Sequence, residues 1–290
     1  MKLSPVVAGV WRADQWGLDA AGLLRWMQQA ADLGITTFDH ADCYGAFTTE
    51  GRFGEAFALA PPSFRDRVQL VTKCGIRFPC DARPAFRLKS YDTSRRYVSG
   101  CVDASLAALR TDRIELLLIH RPDLLMNPDE LADTFAGLQK SGKVLEFGVS
   151  NHTASQFALL HRRFPLVTNQ IEFSPLQMKA LADGTLEQAV DLGLRPMLWS
   201  PLGGGTLFNG QDEQAVRVRT ALQTLGGKHG GASLATVAYA WLMRHPSRPL
   251  PVTGTGRIDG LKEAMAATSL KLSAEDWYAV WEASIGHPVP

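Results

Sequence analysis

Cysteine is scarce in this sequence, and long apolar runs are missing. The chain of 290 residues has four cysteines, Cys43, Cys74, Cys80 and Cys101. Their spacing matches neither a Cys-x-x-Cys pair nor a zinc signature. Four thiols are too few for a disulfide framework in so long a chain, so we expect reduced cysteines and no metal site. No apolar run approaches the roughly 20 residues of a membrane span, and the first residues lack the pattern of a secretory signal. These absences favour a cytoplasmic protein.

An excess of charge of either sign is also missing. The 30 basic and 29 acidic residues give a formal net charge of +1, which indicates neither a nucleic-acid groove nor a polybasic membrane patch. No Pro/Gly/Ser-rich linker, internal repeat or charged tail divides the chain. A barrel enzyme needs about 250 residues. We therefore expect one domain over residues 1–290 that acts on a small molecule, as a monomer or weak homo-oligomer.

Short β-branched or aliphatic runs alternate with longer stretches of helical periodicity. The predicted strands are Val6–Ala8, Ile35–Asp39, Val68–Lys73, Ile114–His120, Val144–Ser150, Val167–Ile171, Arg195–Ser200 and Leu250–Thr253. The predicted helices are Ala20–Leu33, Ser99–Leu109, Asp129–Lys140, Thr153–Arg163, Leu186–Leu192, Gln214–Leu225, Ser233–Arg244 and Ile258–Thr268. This alternation indicates βαβ units and a parallel sheet. Eight repeats favour an α/β fold closed into a single (β/α)8 TIM barrel.

Capping residues mark several helix ends. Thr153 and Ser233 stand at N-cap positions, and Gly34 follows the first predicted helix as a C-terminal glycine. We interpret the glycines of residues 226–231 as a turn between two helices.

Most of the predicted strands end in a polar residue that an apolar core would not select. These residues are Asp39, Lys73, His120, Ser150, Asn151, Gln170 and Ser200. In a parallel barrel the C-terminal ends of the strands share one rim, where barrel enzymes place their chemistry. Any one of these side chains is equally consistent with a strand end that reaches solvent. The whole set indicates a compensated cluster, because an unpaired buried charge costs several kcal/mol.

Asp39, Tyr44, Lys73 and His120 together supply the parts needed to protonate an alkoxide. A phenol with a pKa of about 10 is a weak acid and base at neutral pH, and a nearby ammonium lowers that pKa. A carboxylate holds such an ammonium in place, and an imidazole can hydrogen-bond a carbonyl oxygen. The sequence offers no metal for this step, so an external hydride donor fits best.

The motifs around these residues resemble those of the aldo-keto reductase family over nearly the whole chain. Asp39-His40-Ala41-Asp42-Cys43-Tyr44 is similar to the family's Asp-to-Tyr motif, Val71-Thr72-Lys73 to its lysine strand, and Leu118-Ile119-His120-Arg121-Pro122 to its histidine strand. The resemblance implies an NADP(H)-dependent oxidoreductase that interconverts an aldehyde or ketone and an alcohol. Tyr44 would be the general acid and base, tuned by Lys73, with Asp39 orienting Lys73 and His120 polarising the carbonyl. Within the family, Trp11-Arg12 and Leu202-Gly203-Gly204-Gly205 are most similar to a bacterial group of NADP(H)-dependent oxidoreductases.

The resemblance also implies which residues hold the nicotinamide. Ser150, Asn151 and Gln170 would grip its carboxamide and Trp199 would stack on its ring. The neighbouring residues expected at the cofactor are Trp11, Asp39, Ser200, Pro201, Leu202 and Gly203. From the residues alone, Trp199 is also consistent with core packing, and Ser150-Asn151 with a helix N-cap.

The segment before the last predicted barrel helix departs from the family pattern. It reads Val252-Thr253-Gly254-Thr255-Gly256-Arg257-Ile258, with Gly254 where many relatives have a lysine. Backbone amides and the Thr255 hydroxyl at a helix N-terminus still predict an anion site over Gly254, Thr255 and Gly256. Arg257 would bind the 2′-phosphate of NADP(H) as a planar fork. The other interpretation of Arg257 is a solvated residue at a helix start.

The carbonyl pocket would be lined by Trp11, Tyr44, His120 and Arg121, together with Arg12. The segment after His120 is short and the chain ends soon after its last predicted helix. We therefore expect an open, shallow pocket without long closing loops. The sequence does not identify the substrate.

Two other functions remain open from the sequence. Asp39-His40-Ala41-Asp42 is compatible with a metal-dependent barrel hydrolase, although Lys73 is an awkward neighbour for a cation. A slow-turnover nucleotide sensor or channel-subunit-like binding protein on the same fold is the second alternative. A Rossmann domain is excluded because no strand is followed by Gly-x-Gly-x-x-Gly.

Overall fold

The computed structural model describes residues 3–289, which are organised by a closed barrel of parallel strands. The strands are β1 (Val7–Gly9), β2 (Thr37–Asp39), β3 (Gln69–Cys74), β4 (Ile76–Arg77), β5 (Ser90–Tyr91), β6 (Ile114–Ile119), β7 (Val144–Ser150), β8 (Asn169–Glu172), β9 (Met197–Trp199) and β10 (Leu250–Thr253). All except β4 and β5 form the barrel, and it closes where β1 pairs with both β2 and β10. The register places Val7 beside Thr37 on one side and Val252 on the other. The predicted (β/α)8 barrel is confirmed.

Helices lie outside the barrel, where all but the last two connect its strands. They are α1 (Ala20–Asp32), α2 (Thr49–Ala58), α3 (Pro62–Asp66), α4 (Arg95–Leu109), α5 (Pro128–Lys140), α6 (Ala154–His161), α7 (Thr185–Asp191), α8 (Thr206–Asn209), α9 (Glu213–Lys228), α10 (Leu234–Met243), α11 (Ile258–Ala266) and α12 (Ala274–Ile285). All eight predicted helices are present, with differences confined to their first and last turns. The hydroxyls of Thr153 and Ser233 accept hydrogen bonds from the amides of Gln156 and Thr236, as expected of N-caps.

Four helices, α2, α3, α8 and α12, were not predicted. Glycine weakens the local helix signal in α2, yet Gly54 is required there. A Cβ at Gly54 would collide with the carbonyl oxygen of Ala108 in α4, so the glycine lets these two helices pack closely. α12 begins with a capping box between Ser273 and Asp276 and packs against α9.

The expectation of a pocket without long closing loops is wrong, because residues 75–94 form a long segment that contributes to the cavity wall. This segment follows β3 and contains β4 and β5, which pair antiparallel through Ile76 with Tyr91 and Arg77 with Ser90. A β-hairpin at this position was missed because its strands are only two residues long. The segment supplies Ile76, Phe78 and Lys89 to the wall of the main cavity.

The predicted turn at residues 226–231 is shorter than expected. Gly226 and Gly227 lie inside α9, where the amide of His229 completes the last turn. Gly230 and Gly231 form the turn itself, with φ of 70° and 79°. Only these two positions require the left-handed backbone that favours glycine.

The barrel interior is filled by apolar side chains below the rim. Its buried residues are Val7, Val71, Leu116, Leu118, Met197, Leu250 and Val252. This packed layer fixes the strand ends, and with them the polar side chains that follow it at the C-terminal rim. Among residues 3–289, none of the helices has both the length and the apolar character needed to cross a membrane.

Candidate active site

A buried ion pair forms the base of the rim cluster. Asp39 ends β2 and Lys73 lies in the neighbouring strand β3, which brings the lysine Nζ to 2.8 Å from Asp39 Oδ2. Nζ also donates hydrogen bonds to the His40 carbonyl oxygen at 2.7 Å and to the Tyr44 hydroxyl at 3.0 Å. The Lys73 side chain is fully buried. Its three ammonium protons thus have three acceptors, which offsets the cost of removing the charge from water.

The Tyr44 hydroxyl is held by Lys73 at the edge of the cavity. Lys73 lowers the pKa of this phenol, as the sequence analysis expected, but burial acts in the opposite direction and is the larger effect. The net result is a pKa of Tyr44 raised to about 12. At neutral pH the phenol therefore carries its proton, and its hydroxyl can donate toward the cavity.

His120 follows β6 and lies beside Tyr44, with 5.8 Å between the ring centroids. Burial lowers the pKa of His120 well below its usual value, and the charges of Lys73, Arg121 and Lys89 lower it further. The imidazole is therefore neutral at physiological pH. Its Nδ1 lies 3.6 Å from the Sγ of Cys43.

Cys43 was given no role in the sequence analysis. Burial, followed by the charge of Asp42, raises the pKa of its thiol to about 12, so the sulfur keeps its proton at neutral pH. The only sequence signal for this contact is that Cys43 directly precedes Tyr44. The partner, His120, lies 77 positions away.

The amide residues predicted to hold the nicotinamide form a connected network at the rim. Asn151 donates from Nδ2 to the Ser150 hydroxyl at 2.8 Å, and its Oδ1 accepts from Trp199 Nε1 at 2.9 Å. The Ser150 hydroxyl donates to the Gln170 carbonyl oxygen at 2.9 Å. Gln170 Nε2 in turn donates to Asp39 Oδ1 at 3.0 Å, which links this network to the ion pair.

Left-handed backbone at Asn151 and Ser200 accompanies the network. Their φ angles are 61° and 50°, which is uncommon for residues with a Cβ. Such conformations cost of order 1–3 kcal/mol each and cluster at functional sites. Both residues stand at strand ends on the rim.

One cavity of about 1080 Å³ joins nearly all the predicted site residues. Tyr44, His120 and Arg121 line this cavity, and Thr255 and Arg257 line the same cavity. The remaining predicted residues on its wall are Trp11, Arg12, Asp39, Ser150, Asn151, Gln170, Trp199, Ser200, Pro201, Leu202, Gly254 and Gly256.

Two predicted residues are absent from the cavity wall. Lys73 is fully buried, and its Nζ contacts the Asp39 and Tyr44 side chains and the His40 carbonyl oxygen. Gly203 turns away from the cavity, and a Cβ at this position would lie 2.9 Å from the Leu176 side chain. Gly204 and Gly205 line the wall instead. The sequence motif located the segment but not which of its glycines faces inward.

The segment before α11 forms part of the cavity wall. Arg257 is the N-cap residue of this helix, and its amide donates to the Thr255 hydroxyl at 3.1 Å. Gly256 packs against Trp16, whose ring atoms would lie 2.6 Å from an added Cβ. The Arg257 side chain is exposed and forms no ion pair with a described residue. A free guanidinium beside a helix N-terminus is suited to an anion.

Comparison with known proteins identifies the class to which this barrel belongs. A model of the aldo/keto reductase family matches residues 5–285. The chain belongs to this family of oxidoreductases, as its rim motifs indicated. Family membership favours the oxidoreductase interpretation over the barrel-hydrolase alternative.

Similar proteins are found in several bacteria. The uncharacterized oxidoreductase YcsN of Bacillus subtilis is 44% identical over 100% of this chain and 97% of its own length. A 6-dehydroglucose reductase of Agrobacterium fabrum is 38% identical over 100% of this chain and 97% of its own length. The glycerol dehydrogenase structure from Gluconobacter oxydans superimposes with a TM-score of 0.87, at 23% identity, over 100% of this chain and 94% of that one. This last similarity confirms the fold.

Proposed function

We propose that this protein transfers a hydride between NADP(H) and an aldehyde or ketone, with Tyr44 as the general acid and base. The observation that carries the proposal is the 3.0 Å contact between Lys73 Nζ and the Tyr44 hydroxyl, which lines the cavity. A proton donor next to a buried ammonium is the arrangement needed to protonate an oxygen as negative charge develops on it. The carbonyl specificity implied by the name 6-dehydroglucose reductase supports the same reaction class.

The residues on the cavity wall fit the proposed cofactor, NADP(H). Tyr44 lies on the wall of the same cavity as the anion-suited residues Thr255 and Arg257. Ser150, Asn151 and Gln170 would hold the carboxamide, and Trp199 would cover the nicotinamide ring. Arg257 would hold the 2′-phosphate. When bound, the cofactor supplies the hydride.

During reduction the Tyr44 hydroxyl donates its proton to the carbonyl oxygen as the carbonyl carbon gains the hydride. The C=O π pair moves to oxygen and becomes the new O–H bond. Lys73 stabilises the phenolate that remains, and Asp39 keeps Lys73 in place through their 2.8 Å contact. Because the pKa of Tyr44 is about 12, the acid is loaded with its proton throughout the neutral range.

His120 orients the carbonyl through a defined tautomer. The neutral imidazole has one N–H, and the protonated Cys43 thiol 3.6 Å away favours Nδ1 as an acceptor. The ring proton then stands on Nε2, which donates to the carbonyl oxygen. Cys43 is thus proposed as a positioning residue.

Steady-state NADPH oxidation with a panel of aldehydes tests the proposed function. We expect turnover that depends on both NADPH and the aldehyde, with one alcohol formed per NADPH consumed. A protein that binds NADPH tightly and shows no aldehyde-dependent turnover would be the nucleotide sensor of the alternative hypothesis.

Arg257→Ala is expected to weaken NADPH binding by roughly 1.5–3 kcal/mol, the usual contribution of a hydrogen bond to a charged group. NADH binding should change little, because NADH lacks the 2′-phosphate. Fluorescence titration of both nucleotides against wild type and variant isolates the phosphate contribution. Lys262→Ala is the matched control, since it removes an exposed cation from the same helix, where Lys262 pairs with Asp259 at 3.0 Å. Equal losses for NADPH and NADH would show that Arg257 supports the loop instead.

A further inference from the structure

Two cations without a carboxylate partner line the cavity within electrostatic range of His120. Arg121 directly follows His120, and Lys89 comes from the segment of residues 75–94 that closes over the rim after β3. Both line the cavity, and both charges act on the His120 imidazole. Neither belongs to an ion pair within residues 3–289.

Other described cations, such as Arg87 and Arg257, also lack a carboxylate partner, but Lys89 and Arg121 both line the cavity and act on His120. Arg65 pairs with Glu115 at 2.9 Å, and Arg113 pairs with Asp66 at 2.8 Å. The chain has 29 acidic residues for 30 basic ones, so carboxylates are not in short supply. Glu172 is an acid that interacts electrostatically with Arg121. Burial raises the pKa of its carboxyl, and the charge of Arg121 lowers it. It lies within electrostatic range of Arg121 without forming an ion pair.

The proposed cofactor would be bound by a different cation, Arg257. Its 2′-phosphate is assigned to Arg257 at the start of α11, whereas Lys89 and Arg121 act on His120. The guanidinium of Arg121 also lies 5.8 Å from the Trp199 ring centroid, on the wall beside the reacting carbonyl. Trp11, Ile76 and Phe78 supply apolar wall on the same cavity. An ammonium and a planar guanidinium beside an apolar wall match a small organic anion.

We infer that the carbonyl substrate carries a negatively charged group, a carboxylate or a phosphate, which Lys89 and Arg121 bind while Tyr44 and His120 engage the carbonyl oxygen. The inference rests on the proposed reductase function and adds the charge class of its substrate. Binding of the anion also draws the substrate into the cavity, since opposite charges raise the local substrate concentration.

Matched substrate pairs test this inference. We would measure kcat/KM for 4-carboxybenzaldehyde against methyl 4-formylbenzoate, and for glyceraldehyde 3-phosphate against glyceraldehyde, with NADPH at low salt. The anionic member of at least one pair should be favoured about 10-fold or more, mainly through KM, as expected for hydrogen bonds to a charged group. The preferred pair identifies carboxylate or phosphate. Raising the ionic strength should reduce the preference because salt screens exposed charges.

Variants then connect the preference to the two cations. Lys89→Met and Arg121→Met should each bring the anionic-to-neutral ratio closer to one, while the neutral substrate reports general damage in the same variant. Arg87→Met is the matched control, because Arg87 is an exposed cation of the same segment that does not line the cavity. Its ratio should equal that of wild type.

The possible results distinguish a failure of the anionic-substrate inference from a failure of the proposed reductase function. Equal kcat/KM values within both pairs, or a preference that survives both substitutions, would overturn the inference and leave the reductase intact. Failure to oxidise NADPH with all four aldehydes would instead overturn the proposed function. Thermal unfolding of each variant confirms that the comparison concerns folded protein.

Discussion

Replacing Tyr44 with phenylalanine is expected to lower the turnover of aldehyde reduction on the order of 10²–10⁴-fold, the usual contribution of a positioned general acid. The substitution removes only the hydroxyl that Lys73 holds at 3.0 Å. The aromatic ring beside His120 stays, so the cavity keeps its shape. NADPH affinity should therefore remain almost unchanged, and fluorescence titration would show it.

Tyr239→Phe is the matched control for this result. Tyr239 also lines the cavity, but its hydroxyl donates to Thr253 Oγ1 at 3.0 Å and has no contact with Lys73. Burial raises its pKa to about 12, as it does for Tyr44. The two variants thus remove similar hydroxyls, and only Tyr44→Phe should abolish reduction. Retention of more than a tenth of wild-type turnover in Tyr44→Phe would refute its role as the acid.

The second large effect concerns stability. Asp39→Ala should lower the free energy of unfolding by about 3–5 kcal/mol, because it leaves a fully buried ammonium without its counter-charge. Lys73→Met should have a similar cost, since the Asp39 carboxylate would keep only its hydrogen bond from Gln170. Asp39→Leu combined with Lys73→Met should recover much of the loss, because neither charge then remains buried. Denaturant unfolding of the three variants measures these differences.

The exposed pair of Arg67 with Asp32 provides the control for burial. Its N–O distance is also 2.8 Å, but its side chains are 53% and 68% exposed, against 0% and 3% for Lys73 and Asp39. Asp32→Ala should therefore change the free energy of unfolding by no more than about 1 kcal/mol. Equal costs for Asp32→Ala and Asp39→Ala would contradict the idea that the rim cluster depends on burial of its charges.

The barrel and its rim were predictable because their signals are local. Each strand is a short apolar run, and the polar residue at its end, such as Asp39 or His120, marks the C-terminal rim. Parallel closure then brings residues far apart in the chain to one place. The helices that were not predicted have weaker sequence patterns. In α2, the glycine that weakens the pattern is also the residue that permits close packing with α4.

The contacts between rim residues were not predictable in the same way. Gln170 and Asp39 are separated by 131 positions, and the family resemblance implied a cofactor role for Gln170 without indicating that its amide also contacts Asp39. The sequence also does not show that the Cys43 thiol contacts His120 or that the charge of Lys89 acts on it, because both depend on the direction of a turn or loop. A motif fixes residue types and spacing along the chain, whereas these roles depend on side-chain direction across the barrel.

Transfer of deuterium from labelled NADPH to the alcohol product tests directly whether the protein transfers a hydride from the nicotinamide. NADPH carrying deuterium at both C4 positions would be incubated with an aldehyde and the protein in ordinary water, and the alcohol analysed by mass spectrometry. We expect one deuterium on the carbinol carbon of each alcohol molecule formed, and almost no labelled alcohol with Tyr44→Phe because little alcohol forms. Alcohol that forms without deuterium at that carbon would contradict hydride transfer from the nicotinamide.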